Sequence, residues 1–269
     1  MKKLLELGNR IIRNKKNKKQ LESEVKLHFV FGFLYLIQII LLVIFSKGSW
    51  LSITTNYLAY DTLLSNGEQI VHSAGTSRLF DFNMLWLLVI ILAISLVGHF
   101  LLATKFKKML SSKSEVISWL FFGVVNSLLT LIIALLSGVF DFSSLVLLFG
   151  VCIMASIGGI FTQLYLQKDK KLANYGLIYI LKLTLLPWAV ILIYILGTFV
   201  FGGNSINAWV YLVYLTLMLT QIAFGYVYGQ IKKQVGKWRD EQYSQKVVYA
   251  LFFICQTLVV WQVFFGSLI

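Results

Sequence analysis

Apolar residues in this chain come in long runs separated by polar connections. A membrane-spanning helix needs about 20 consecutive, mostly apolar residues. Seven runs reach that length, at 27–45, 82–103, 116–136, 142–166, 177–201, 208–231 and 247–268. The pattern predicts an all-α integral membrane protein, a seven-helix transmembrane domain over 27–269 that follows a basic segment over 1–26. The connection at 46–81 is long. It carries a run rich in Val, Ile, Thr and Tyr at 51–60 and then Ser65, Asn66 and Gly67, which together predict a short β hairpin. The connection at 138–141 is so short that helices three and four must be tight antiparallel neighbours.

Composition supports lipid as the solvent: 58% of the 269 residues are hydrophobic, 13% are charged, and mean hydropathy is +0.80. Soluble domains carry roughly a quarter charged residues. The net charge of +13 would suit a nucleic-acid partner, but its placement gives another explanation. Nine of the 24 Lys and Arg precede or open helix one: Lys2, Lys3, Arg10, Arg13, Lys15, Lys16, Lys18, Lys19 and Lys26. Lys105, Lys107, Lys108 and Lys113 join helices two and three, Lys168, Lys170 and Lys171 join four and five, and Lys232, Lys233, Lys237, Arg239 and Lys246 join six and seven. The opposite side has only Lys47 and Arg78. Positively charged loops stay inside, which predicts a multi-pass protein of the cell membrane with a cytoplasmic N-terminus and an outside C-terminus. Attraction to anionic lipid accounts for the basic excess without nucleic acid. In the segment 1–26, Leu4, Leu5, Leu7, Ile11 and Ile12 interleave with Lys and Arg, as in an interfacial amphipathic helix or a solvated basic tail. No cleavable signal peptide is expected, so helix one serves as the insertion signal.

Ionisable groups inside hydrocarbon are costly and point to function. The eleven acids, Glu24 among them, fall in loops or at helix ends, so no carboxylate relay is expected. Lys182 lies within helix five, close enough to the cytoplasmic side for its stem to carry the ammonium to the interface; the alternative is an amine facing the bundle. His99 near the end of helix two reads as an interhelical contact or a titrating group, with no second histidine expected in the spans. Gln256, mid-helix seven, needs a partner across the bundle, and Thr257 and Gln262 are expected in the same polar seam. Trp50, Trp86, Trp119 and Trp238 suit interfacial belts, whereas Trp188 and Trp261 lie deeper and either pack or line a cavity. Ser156, Gly158 and Gly159 mark close helix packing, and Cys152 and Cys255 read as small buried hydrophobes. No paired carboxylates, metal-ligand spacing, nucleophile with base, or phosphate loop appears, so no enzyme is expected.

Helix seven ends in Trp261, Gln262, Val263, Phe264, Phe265, Gly266, Ser267 and Leu268. With Gly32, Tyr35 and Gln38 in helix one, Thr54 to Leu58 after it, Ile133 to Asp141, Leu148 to Gly150, and Pro187 and Trp188, it makes the chain similar to the heliorhodopsins from about residue 27 to the C-terminus. The resemblance implies a rhodopsin-like bundle with a cytoplasmic N-terminus, a homodimer, and sensing rather than strong pumping. It also implies retinal on a helix-seven lysine, with a helix-three glutamate as counterion.

This chain departs from that pattern where it matters. The retinal-lysine position is Gln256, the counterion position is Phe121, and the family's helix-one histidine is Tyr35, while His99 matches the helix-two histidine. An amide cannot condense with an aldehyde, so no cofactor attaches covalently at Gln256. The expected function is a sensory, signalling or ligand-binding scaffold with a cytoplasmic protein partner, and with Tyr35, His99 and Trp261 in a pocket or polar network. The rival readings are a light sensor holding retinal or a carotenoid noncovalently, and a transporter or channel.

Overall fold

The computed structural model describes residues 2–60, 72–104, 114–165, 169–202 and 206–268. Among them are seven helices long and apolar enough to cross a membrane, joined by one two-stranded sheet. In chain order they are α1 (Lys2–Phe45), β1 (Trp50–Tyr60), β2 (His72–Asn83), α2 (Met84–Ala103), α3 (Ser114–Leu136), α4 (Phe142–Tyr165), α5 (Lys170–Phe201), α6 (Ala208–Lys233) and α7 (Glu241–Ser267). The predicted runs and the observed spans coincide closely; the difference is α1, which begins at Lys2. At ~1.5 Å per residue its 44 residues extend roughly 66 Å, about twice a bilayer core, so the basic segment continues the spanning helix. The side chains of Leu4, Leu5, Leu7, Ile11 and Ile12 lie outside the described ones.

Helix starts are capped by short polar side chains that accept orphan backbone N–H groups. Asn83 accepts from Leu85, Asp169 from Lys171 and Leu172, and Asp240 from Gln242 and Tyr243. Asp141 does the same for α4, accepting the Ser144 N–H at 2.8 Å and its hydroxyl at 2.9 Å, which holds the Asp141 carboxyl below its usual range.

The hairpin is antiparallel, pairing Trp50 with Asn83 and Tyr60 with His72, with an irregularity between Ile53 and Thr54. Its strands, of 11 and 12 residues, are longer than the sequence suggested; Ser65, Asn66 and Gly67 lie outside the described residues. Buried Ile53 anchors it, Thr54 donates its N–H to the Phe140 carbonyl at 2.9 Å, and Asn56 donates to Asp141 at 3.3 Å. The hairpin therefore lies against the α3–α4 turn, where Gly138 adopts φ +92, a conformation that side chains resist. At the same end the Lys47 N–H bonds the Leu268 carbonyl at 2.8 Å, closing α1 onto α7.

Small residues let α3, α4 and α5 approach closely, as expected of Ser156, Gly158 and Gly159. Gly123 faces the Ser156 side chain, Gly159 faces the Trp119 ring, and Gly158 faces Tyr179 and Ile180. Both cysteines are free and buried.

Candidate functional site

Buried polar residues concentrate where α1, α2 and α7 meet. On α1 the inward residues Glu24, His28, Tyr35, Gln38 and Leu42 recur at helical spacing along one face. α2 contributes Ser95 and His99, one turn apart, and α7 contributes Tyr249 and Gln256, two turns apart.

Nearest the basic end, His28 Nδ1 lies 2.8 Å from His99 Nδ1, both rings being fully or almost fully buried. Tyr249 meets the His28 ring edge-on at 4.6 Å, and Tyr35 stacks over His99 at 5.6 Å. Glu24, one turn from His28 towards the basic end, is only 3% exposed. Two expectations are corrected here. A second histidine does lie within the spans: His28 falls inside the predicted run 27–45 itself, one residue from its edge, and within the observed span from Glu22. One acid, Glu24, is drawn into the bundle, because the face of α1 that packs on its neighbours continues past the apolar run.

Towards mid-membrane, Gln256 is fully buried and its Oε1 lies 2.6 Å from Ser95 Oγ, which is also 2.9 Å from the Ile91 carbonyl. Gln256 Nε2 has no hydrogen-bond partner among the described residues. Beside this pair lies a cavity of about 10 Å³ lined by Ser95, Gly98, His99, Phe121, Phe122 and Phe252, among others. That volume admits about one water molecule. Phe121 lines it and packs on Gly98, where a side-chain carbon would stand 3.2 Å from the ring.

The expected seam of Gln256, Thr257 and Gln262 is instead three separate contacts, because their positions on α7 point to different neighbours. Thr257 receives Gln38 Nε2 of α1 at 3.3 Å, whereas Gln262 donates to Thr216 of α6 at 2.8 Å. Trp261 does not line the cavity. It borders a shallow groove of about 390 Å³ with Leu41, Phe45, Phe264 and Phe265. Trp188 donates its indole N–H to Gln221 at 2.7 Å, so a hydrogen bond to α6 holds it. Lys182 is exposed on α5, the placement that lets a lysine reach the interface.

Sequence reasoning thus found Tyr35, His99, Phe121 and Gln256 in one region and missed Glu24, His28, Gln38, Ser95 and Tyr249. The spacing from Glu24 to His28, Tyr35, Gln38 and Leu42 was the signal available for α1. No comparable signal marked Ser95 or Tyr249, since serine and tyrosine are ordinary in spanning helices.

The heliorhodopsin family model matches residues 25–268. No curated protein matches the chain. A seven-helix membrane bundle with a hairpin between its first two spans, together with a family match over nearly its whole length, places this protein in the heliorhodopsin family.

Proposed function

We propose that this heliorhodopsin-family protein works without covalently bound retinal, as a sensory or ligand-binding scaffold that signals from its basic, cytoplasmic face. Heliorhodopsins bind retinal in general. The residues present here do not fit that attachment. Gln256 offers a carboxamide where an amine is needed, Phe121 offers a ring where a carboxylate would balance a cation, and the cavity lined by Phe121 and Ser95 has about 10 Å³. A protonated Schiff base buried without a counter-charge is strongly disfavoured. The observation that carries the reading is the buried Gln256 amide held against Ser95 beside that small cavity.

The orientation rests on the Lys and Arg distribution. Dimer formation rests on the family resemblance, and a cytoplasmic protein partner on the basic charge of the cytoplasmic face. The sequence carries no motif that calls for an enzyme reading.

The test is the absorbance spectrum of protein expressed with all-trans-retinal, followed by borohydride reduction and mass analysis. No visible band and no retinyl adduct are expected; a visible band overturns the retinal-free reading. A band without an adduct assigns a noncovalent chromophore, and an adduct on α7 refutes the Gln256 assignment. Gln256→Lys alone should give at most a near-ultraviolet, unprotonated Schiff base, whereas Gln256→Lys with Phe121→Glu should absorb in the visible.

A further inference from the structure

We infer that His28 and His99 form a single proton-binding site, buried near the basic end of the bundle, whose proton is balanced by Glu24 and whose occupancy α1 conveys to its basic arm.

The chemistry follows from the Nδ1–Nδ1 distance of 2.8 Å. At that separation one Nδ1 carries a proton and the other accepts it. One added proton makes one ring an imidazolium that donates to its neutral neighbour, a charge-assisted bond stronger than the neutral one. A second would set two N–H groups and two positive charges face to face. The pair therefore takes up one proton and resists another, titrating as a unit.

Burial opposes that charge, and a carboxylate on the same face offsets it. Glu24 lies one turn away on the same buried face of α1, the spacing at which helix side chains interact. Tyr35 of α1 and Tyr249 of α7 pack on the rings, and Phe31 meets the edge of His99 at 5.5 Å. α2 brings no charged residue besides His99, and α3 reaches Tyr249 through Phe122. Lys246 of α7, bonded to Ser23 at 2.9 Å, is a nearby cation that opposes protonation. His28 lies six residues from the start of the span, roughly 9 Å along the helix, with Glu24 between it and that end. The output is mechanical. α1 is one continuous helix from Lys2 to Phe45, so a change in how His28 seats against His99 is carried into the arm.

The chain has three histidines, and the third, His72, is exposed on β2. A ¹⁵N-histidine NMR titration of the wild-type protein in nanodiscs therefore resolves the site without a variant. His28 and His99 are expected to shift together with uptake of one proton as the pH falls. Glu24→Gln should move the shared midpoint about one unit to lower pH. Uptake of two protons, of none, or a midpoint that ignores Glu24→Gln overturns the site. For the output, the distance between spin labels at Arg10→Cys and Gln234→Cys should change across the midpoint and stay constant in His99→Asn; a distance blind to pH in the wild type overturns the coupling. The signalling role rests on the scaffold reading, but the two fail separately. A visible retinal band with an intact titration refutes only the scaffold, and no band with no titration refutes only the proton site.

Discussion

The α1–α2–α7 side of the bundle and the α5 side obey different rules within one hydrophobic chain. Half of an 18-residue apolar stretch of α7 is buried against protein, compared with 11% of the corresponding stretch of α5 among the described residues. The first side gathers Glu24, His28, Gln38, Ser95, His99 and Gln256, all buried. The α5 side turns Leu185, Ile193, Phe199 and Phe201 to lipid, and its one lysine within the span is exposed. Spanning helices gain no hydrophobic energy by leaving lipid, so packing and interhelical hydrogen bonds decide which faces meet. Polar residues are placed where partners exist, as Trp188 of α5 is against Gln221, and the outward surface of α5 is mostly apolar.

The largest effect expected is at the packed core. Leu88→Ala should destabilise the bundle by about 2 kcal/mol, the lower end of the range for soluble cores, because lipid also solvates leucine in the unfolded state while the cavity cost remains. Leu185→Ala, 67% exposed, should change little. Equal losses in reversible denaturant unfolding would erase the distinction between the two sides.

Ser95→Ala should come close behind, at about 1–2 kcal/mol, since it strands a buried carboxamide whose nitrogen already lacks a partner. Gln256→Leu should cost far less, because Ser95 keeps the Ile91 carbonyl. If the two variants melt alike, the amide is not held as described.

The hairpin end is intermediate. Asp141→Ala removes the α4 cap and the Asn56 contact, for a loss of about 1 kcal/mol. The folded protein holds the Asp141 carboxyl below its ordinary value, so the tie is fully present above the unfolded-state value. It is lost as pH falls through the folded-state value, and Asp141→Asn should abolish that acid-dependent part of the melting curve. The smallest effect belongs to the lipid side: Lys182→Leu should stay within about 0.5 kcal/mol. A larger loss in the same assay would mean that Lys182 faces protein.

The linear pattern determined the seven spans, the hairpin and the short α3–α4 turn, because length, hydropathy and turn chemistry are local properties. It also marked Gln256, Phe121 and His99 as positions where a resemblance implies chemistry. What only tertiary structure decided is which polar groups share an environment. His28 sits beside Lys26 at the edge of the apolar run and reads as interfacial until α2 brings His99 within 2.8 Å. Gln256, Thr257 and Gln262 look like one seam along the chain, yet α7 directs them to α2, α1 and α6, since about 100° of helix rotation per residue separates neighbours in sequence. Hydropathy tells a residue whether it can enter the membrane; the packing of neighbouring helices decides whether it meets lipid, a cavity or a partner.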